Sequence, residues 1–136
     1  MADGTINKTI HIAAPREMVW EYLTSASELA KWFHKPDADF TDGQPFTMRG
    51  QDGRAVCNGA IEEMDPPARL SYSFTAGPMN GLMTKVSWTL TEVAGGTRLA
   101  LVHSGFPASA EAFGLLVAFD KGWDSHLLRM REIESH

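Results

Sequence analysis

Cysteine is nearly absent from this 136-residue chain. Cys57 stands alone, so no intrachain disulfide can form, and the stapled scaffolds of secreted proteins are excluded. A reducing, cytoplasmic setting is expected. Long apolar runs are missing as well: the longest, Phe113 to Phe119, is interrupted by Gly114 and falls far short of the roughly 20 residues that a spanning helix needs. Residues 1 to 20 hold Asp3, Lys8, His11, Arg16 and Glu17 without an apolar stretch, so no cleaved signal peptide is expected. Cations are also scarce. Twelve Lys and Arg against 17 Asp and Glu leave a net charge of -5, and non-specific nucleic-acid affinity comes from clustered cations that displace counterions. Nucleic acid and membrane are therefore not expected as partners.

The usual signatures of metal and cofactor chemistry are lacking too. His11, His34, His103, His126 and His136 show no paired spacing, and one cysteine cannot build a thiolate zinc site. Ser104 lies outside any Gly-x-Ser-x-Gly elbow, and the glycines match neither a phosphate loop nor a dinucleotide fingerprint. Asp37, Asp39 and Asp42 lack the later glycine and glutamate of a calcium loop, so they read as a solvated turn. No metal and no cofactor are expected.

What is present is an average globular composition, 43% hydrophobic and 21% charged, at a length that suits one domain over residues 1–136. Residues 5–13 alternate through Ile6, Ile10 and Ile12, with Lys8 as the exception on the apolar side, which predicts a half-buried strand. Pro15 then opens a helix over 15–24 with Met18, Val19, Tyr22 and Leu23 at three-and-four spacing. Ser25 or Ser27 would cap a second short helix over Glu28 to Phe33. Beyond Pro36, the pairs Asp42-Gly43, Asp52-Gly53, Pro66-Pro67, Gly77-Pro78 and Gly95-Gly96 separate alternating segments over 45–50, 54–64, 69–76, 82–93 and 97–104, the pattern of an antiparallel meander. The clearest apolar faces are Leu70, Tyr72 and Phe74, then Val86, Trp88 and Leu90, then Leu99, Leu101 and His103. Such a face needs a cover. Phe113, Leu116, Phe119, Trp123, Leu127, Met130 and Ile133 supply it on a long helix over 109–134, with a break, kink or close backbone contact expected at Gly122.

Specific residues sit on this order of elements. Ile12-Ala13-Ala14-Pro15 before Val19-Trp20, Leu29-Ala30-Lys31-Trp32-Phe33, Met64-Asp65-Pro66-Pro67-Ala68-Arg69-Leu70, Gly96-Thr97-Arg98-Leu99 through His103-Ser104-Gly105-Phe106, and Gly122-Trp123 through His126-Leu127 all fall in sequence. Over residues 5 to 134 the chain resembles the family of proteins similar to the activator of Hsp90 ATPase, within the START-like (SRPBCC) helix-grip superfamily. The resemblance implies an α+β helix-grip fold, in which about six or seven curved antiparallel strands wrap a long C-terminal helix around an apolar cavity.

The candidate ligand-binding residues are Trp32, Tyr72, Phe74, Trp88, Leu101, His103, Phe119 and Trp123, which share the inner faces or the cavity mouth implied by the resemblance. Each has a bland alternative. Trp20 and Trp32 serve equally to pack the short helices, and a solid core would use the same rings. His103 is either a hydrogen-bonded core histidine or the group that orients a ligand. The leading functional expectation is a binding module for a small apolar or aromatic molecule, with His103 and Tyr72 or Arg54 as polar contacts. Second comes a cyclase or hydratase using His103 as acid-base, for which Glu62 and Asp120 are the only further titratable candidates. Third comes a chaperone-associated module. The resemblance implies that the named activator relies on an additional N-terminal domain, for which 136 residues leave no room. Homodimerisation through a sheet edge or the helix is left open.

Overall fold

A computed structural model describes residues 4–133. Strand β1 (Gly4–Ile12) leads into helices α1 (Arg16–Thr24) and α2 (Ala26–Trp32). Strands β2 (Lys35–Pro36), β3 (Pro45–Arg49), β4 (Ala55–Asp65), β5 (Arg69–Ala76), β6 (Thr84–Val93) and β7 (Gly96–Phe106) follow, and α3 (Ala110–Ile133) closes the chain. All seven strands form one antiparallel sheet in the order β1-β7-β6-β5-β4-β3-β2, so the first strand joins the last. This is the expected helix-grip architecture.

The alternation of the central strands decides the register. Leu70 pairs with Trp88, Trp88 with Leu101, and Val86 with both Tyr72 and His103, which aligns the apolar faces of β5, β6 and β7 in continuous rows. A slip by one residue would turn every one of these side chains to solvent. Helix α3 covers the rows with Trp123, Leu127 and Met130, all buried. Lys8 faces the same way, and its ammonium reaches Asp120 and Asp124, one turn apart on α3, at 2.9 Å each. The charge that interrupted the strand pattern thus ties β1 to the helix.

Several expectations are corrected. Helix α2 starts at Ala26 rather than Glu28, and neither Ser25 nor Ser27 caps it through its side chain. The two hydroxyls bond each other at 3.2 Å, while the Ala26 N–H donates to the Asp39 carboxylate at 2.8 Å. Asp39 therefore holds a helix start that was expected to be held by serine. Strand β2, two residues long, carries no periodicity to read. Helix α3 runs unbroken through Gly122, where an added Cβ would meet nothing within 4 Å, so neither a break nor a close backbone contact is found. Phe113 is 64% exposed because the buried stripe enters the helix through Ala112, four residues before Leu116, rather than three. The expected last residue of that helix, Glu134, and His136 lie outside the described residues. Among those described, no helix is long and apolar enough to cross a membrane.

Candidate functional site

Helix α3 and the sheet do not close completely on one another. Between them lies a cavity of about 220 Å³. Its helical wall is the face of Leu115, Ala118, Phe119, Gly122, Trp123 and His126, spaced three and four apart so that all six project from one side. Val56 and Cys57 of β4 and Phe74 and Ala76 of β5 form the opposite wall, and Phe33 and His34 close one end where α2 gives way to β2. Phe33 stacks on Trp123 at 5.2 Å between ring centroids, and Phe74 meets Phe119 edge-on at 6.3 Å. Gly122 is the key to the space, because any side chain there would project from the wall into it. The volume falls below the roughly 300 Å³ of drug-sized pockets but exceeds the roughly 150 Å³ known to admit a benzene ring.

Of the residues named from sequence, Phe74, Phe119 and Trp123 line this cavity. The others sit in the packed core around it. Trp32 donates its indole N–H to the Tyr22 carbonyl at 2.7 Å and meets Trp88 edge-on. Trp88 in turn donates to the Tyr72 hydroxyl at 3.0 Å, in a layer where Tyr72 is flanked by Phe40 and Phe46. Burial pushes the Tyr72 phenol above its ordinary range. Leu101 is buried opposite Trp88. Trp20 is also buried in the core.

His103 is fully buried and fully bonded. The Trp123 indole can only donate, so its 3.0 Å contact makes His103 Nδ1 an acceptor. The ring proton is thereby placed on Nε2, which donates to Thr84 Oγ1 at 2.8 Å, and that hydroxyl donates onward to the Phe74 carbonyl at 2.7 Å. Burial pulls the pKa of His103 down to about 4, so the ring is neutral near pH 7. The relay holds Trp123 and Phe74, two walls of the cavity, in fixed orientation.

The polar groups at the cavity were not singled out by sequence reading. His34 and His126 both line it, with ring centroids 5.5 Å apart. Arg129, three residues beyond His126, donates from Nη2 to His126 Nδ1 at 2.6 Å and from Nε to the Trp32 carbonyl at 3.5 Å. The same Nδ1 lies 3.2 Å from the Trp32 carbonyl, which can only accept, whereas a guanidinium can only donate, so these two contacts ask for opposite tautomers of His126. Burial, then the charge of Arg129, pull His126 down to about 4 and hold His34 below its usual value. Cys57 is a buried neutral thiol, pushed up to about 12. The signal that could have found the helical wall was the spacing Phe119, Gly122, Trp123, His126, read around the glycine. Glu62, Asp120 and Arg54 lie elsewhere, paired with Lys85, Lys8 and Asp52. No group of three or more His, Cys, Asp or Glu that could hold a metal occurs among the described residues.

A family model described as Activator of Hsp90 ATPase homolog 1-like protein matches residues 13–134. The chain belongs to that family. Solved structures agree on the fold. Protein MLL2253 from Mesorhizobium loti superposes with a TM-score of 0.82 at 22% identity, over 95% of each chain. CalU16 from Micromonospora echinospora gives 0.77 at 27% identity, over 93% of this chain and 73% of that one. The Aha1 dimer from Colwellia psychrerythraea gives 0.79 at 19% identity over 96% of each, and it is described as a dimer. No curated protein sequence matches. Family and fold thus agree with the resemblance seen in the sequence.

Proposed function

We propose that the protein binds a small apolar or aromatic molecule in the cavity between α3 and the sheet, with Phe74, Phe119 and Trp123 as ring contacts. The observation that carries this reading is Gly122. A glycine in a helix interior costs about 1 kcal/mol relative to alanine, and here it borders open space rather than a close-packed neighbour. Walls of Phe33, Phe74, Phe119 and Trp123 suit a planar guest, since offset and edge-on ring contacts add to the gain from apolar burial.

An acid-base reading finds less support. His103 is engaged at both ring nitrogens within the core, and Glu62 and Asp120 are ion-paired away from the cavity. The test is a titration of wild-type protein and Gly122→Leu with toluene, followed by Trp fluorescence or ligand-observed NMR. Wild type is expected to bind. Gly122→Leu is expected to lose binding while unfolding at an equal or higher temperature, because leucine fills the void from a helical position. Equal binding by both, or by neither, would remove the cavity from the function.

A further inference from the structure

Leu115 of α3 and Pro78, in the turn Gly77–Met79 that follows β5, border the cavity and also a second space. That space is an open groove of about 570 Å³ between the β5–β6 connection, with Met79 and Leu82, and the start of α3, with Gly114. The two spaces therefore meet at Pro78 and Leu115. Pro78 is exposed and Leu115 only half-buried, so neither is locked in the core. The lining changes along the way. Phe33, Phe119 and Trp123 crowd the end toward His126, whereas the cavity offers Ala76, Ala118 and Leu115 toward the groove. Beyond them the groove adds the polar side chains of Asn80, Ser109 and Glu111 and no cation. Gly114 repeats there what Gly122 does inside: it is a helical glycine whose added Cβ would meet nothing within 4 Å.

Building on the ligand-binding reading above, we infer that cavity and groove are two halves of one site that takes an elongated molecule: an aromatic ring against Phe119 and Trp123, an alkyl chain passing between Pro78 and Leu115, and an uncharged polar end beside Asn80 and Ser109. From Gly122 to Gly114 the helix rises about 12 Å, more than a single ring can span. Ring contacts favour a ring at the aromatic end, and a flexible chain suits the aliphatic passage, where it gains by leaving water. Glu111 repels a terminal carboxylate, and no lysine or arginine lines the groove to offset it.

The experiment measures toluene, phenylpropanol, phenylhexanol and phenylhexanoate by calorimetry on wild type, Gly114→Ala and Gly114→Phe. Each buried methylene is worth up to about fourfold in affinity, so wild type is expected to bind phenylhexanol about tenfold or more tightly than phenylpropanol. Gly114→Phe fills the groove and should cut that ratio to about threefold or less, whereas Gly114→Ala, which also removes the glycine but adds little bulk, should keep it. Gly114 is exposed, so both variants are expected to fold, and a ratio of two ligands on one protein cancels any general loss of stability. Phenylhexanoate is expected to bind about threefold or more weakly than phenylhexanol at low ionic strength. A wild type that binds toluene but gains nothing from the longer chain overturns this inference alone, as does a ratio unchanged in Gly114→Phe. A carboxylate bound as tightly as the alcohol overturns the uncharged end. If toluene does not bind at all, the ligand-binding reading falls and this one with it.

Discussion

At the scale of single residues, His103 shows how a chemically versatile side chain is held in a structural role. Its two ring nitrogens join Trp123 of α3 to Thr84 of β6, and no hydrogen-bonding capacity is left over. Replacing it with leucine should cost about 3 kcal/mol in denaturant unfolding, since the Trp123 N–H loses its buried acceptor and the shape of the site changes. Its titration has a definite sign. The folded-state pKa of about 4 lies below the ordinary value of 6.5, so the unfolded chain takes up a proton first as pH falls. Stability is expected to be fully present above pH 6.5 and to decline toward pH 4. His126 adds in the same direction, being pulled down to about 4 as well. Unfolding curves collected across that window should show a shallower decline in His103→Leu, and an unchanged slope would contradict the assignment.

At the scale of elements, what was legible in the sequence tracks the strength of the periodic signal. Strands β5, β6 and β7 alternate cleanly because one face of each is buried, and the expected inner faces and their alignment agree with the observed register. Strand β2 was invisible because two residues carry no period. The start of α2 was misplaced because its cap lies 13 residues away, at Asp39, where no local pattern could point to it. Asp39→Ala is therefore expected to cost about 1 kcal/mol, against a negligible effect for Ser27→Ala, in thermal or denaturant unfolding. The cavity was half legible. Phe74, Phe119 and Trp123 followed from face and period, whereas Phe33, His34, Cys57 and His126 belong to a helix end, a strand with mixed alternation and a histidine set read for metal spacing. Gly59 of β4 shows how tight that strand's packing is. A Cβ there would run into the Ser73 carbonyl of β5, so Gly59→Ala should destabilise by about 2 kcal/mol or more.

At the scale of the whole molecule, the grip of α3 on the sheet controls access to the interior. Cys57 is the only cysteine of the chain and sits on the cavity wall, 3% exposed and pushed up to about 12 by burial. A thiolate is the reactive form, so a small thiol reagent should modify Cys57 at least about a hundredfold more slowly than a free cysteine at pH 8. Denaturant should abolish this protection, and toluene should deepen it by occupying the route. Labelling at the rate of a free thiol would mean that helix and sheet part readily in solution.

The tryptophans carry a consequence of a different kind. Trp32 and Trp88 stand with ring centroids 6.0 Å apart, and Trp88 and Trp123 5.5 Å apart, each pair close to perpendicular. Chromophores this near share their excited states, so the three indoles behave as one optical unit whose outer member faces the cavity. Its coupled transitions should give a strong near-ultraviolet circular dichroism band and rapidly depolarised emission. Through that coupling, light absorbed deep in the core becomes sensitive to what touches Trp123, and the protein carries its own reporter for whatever enters.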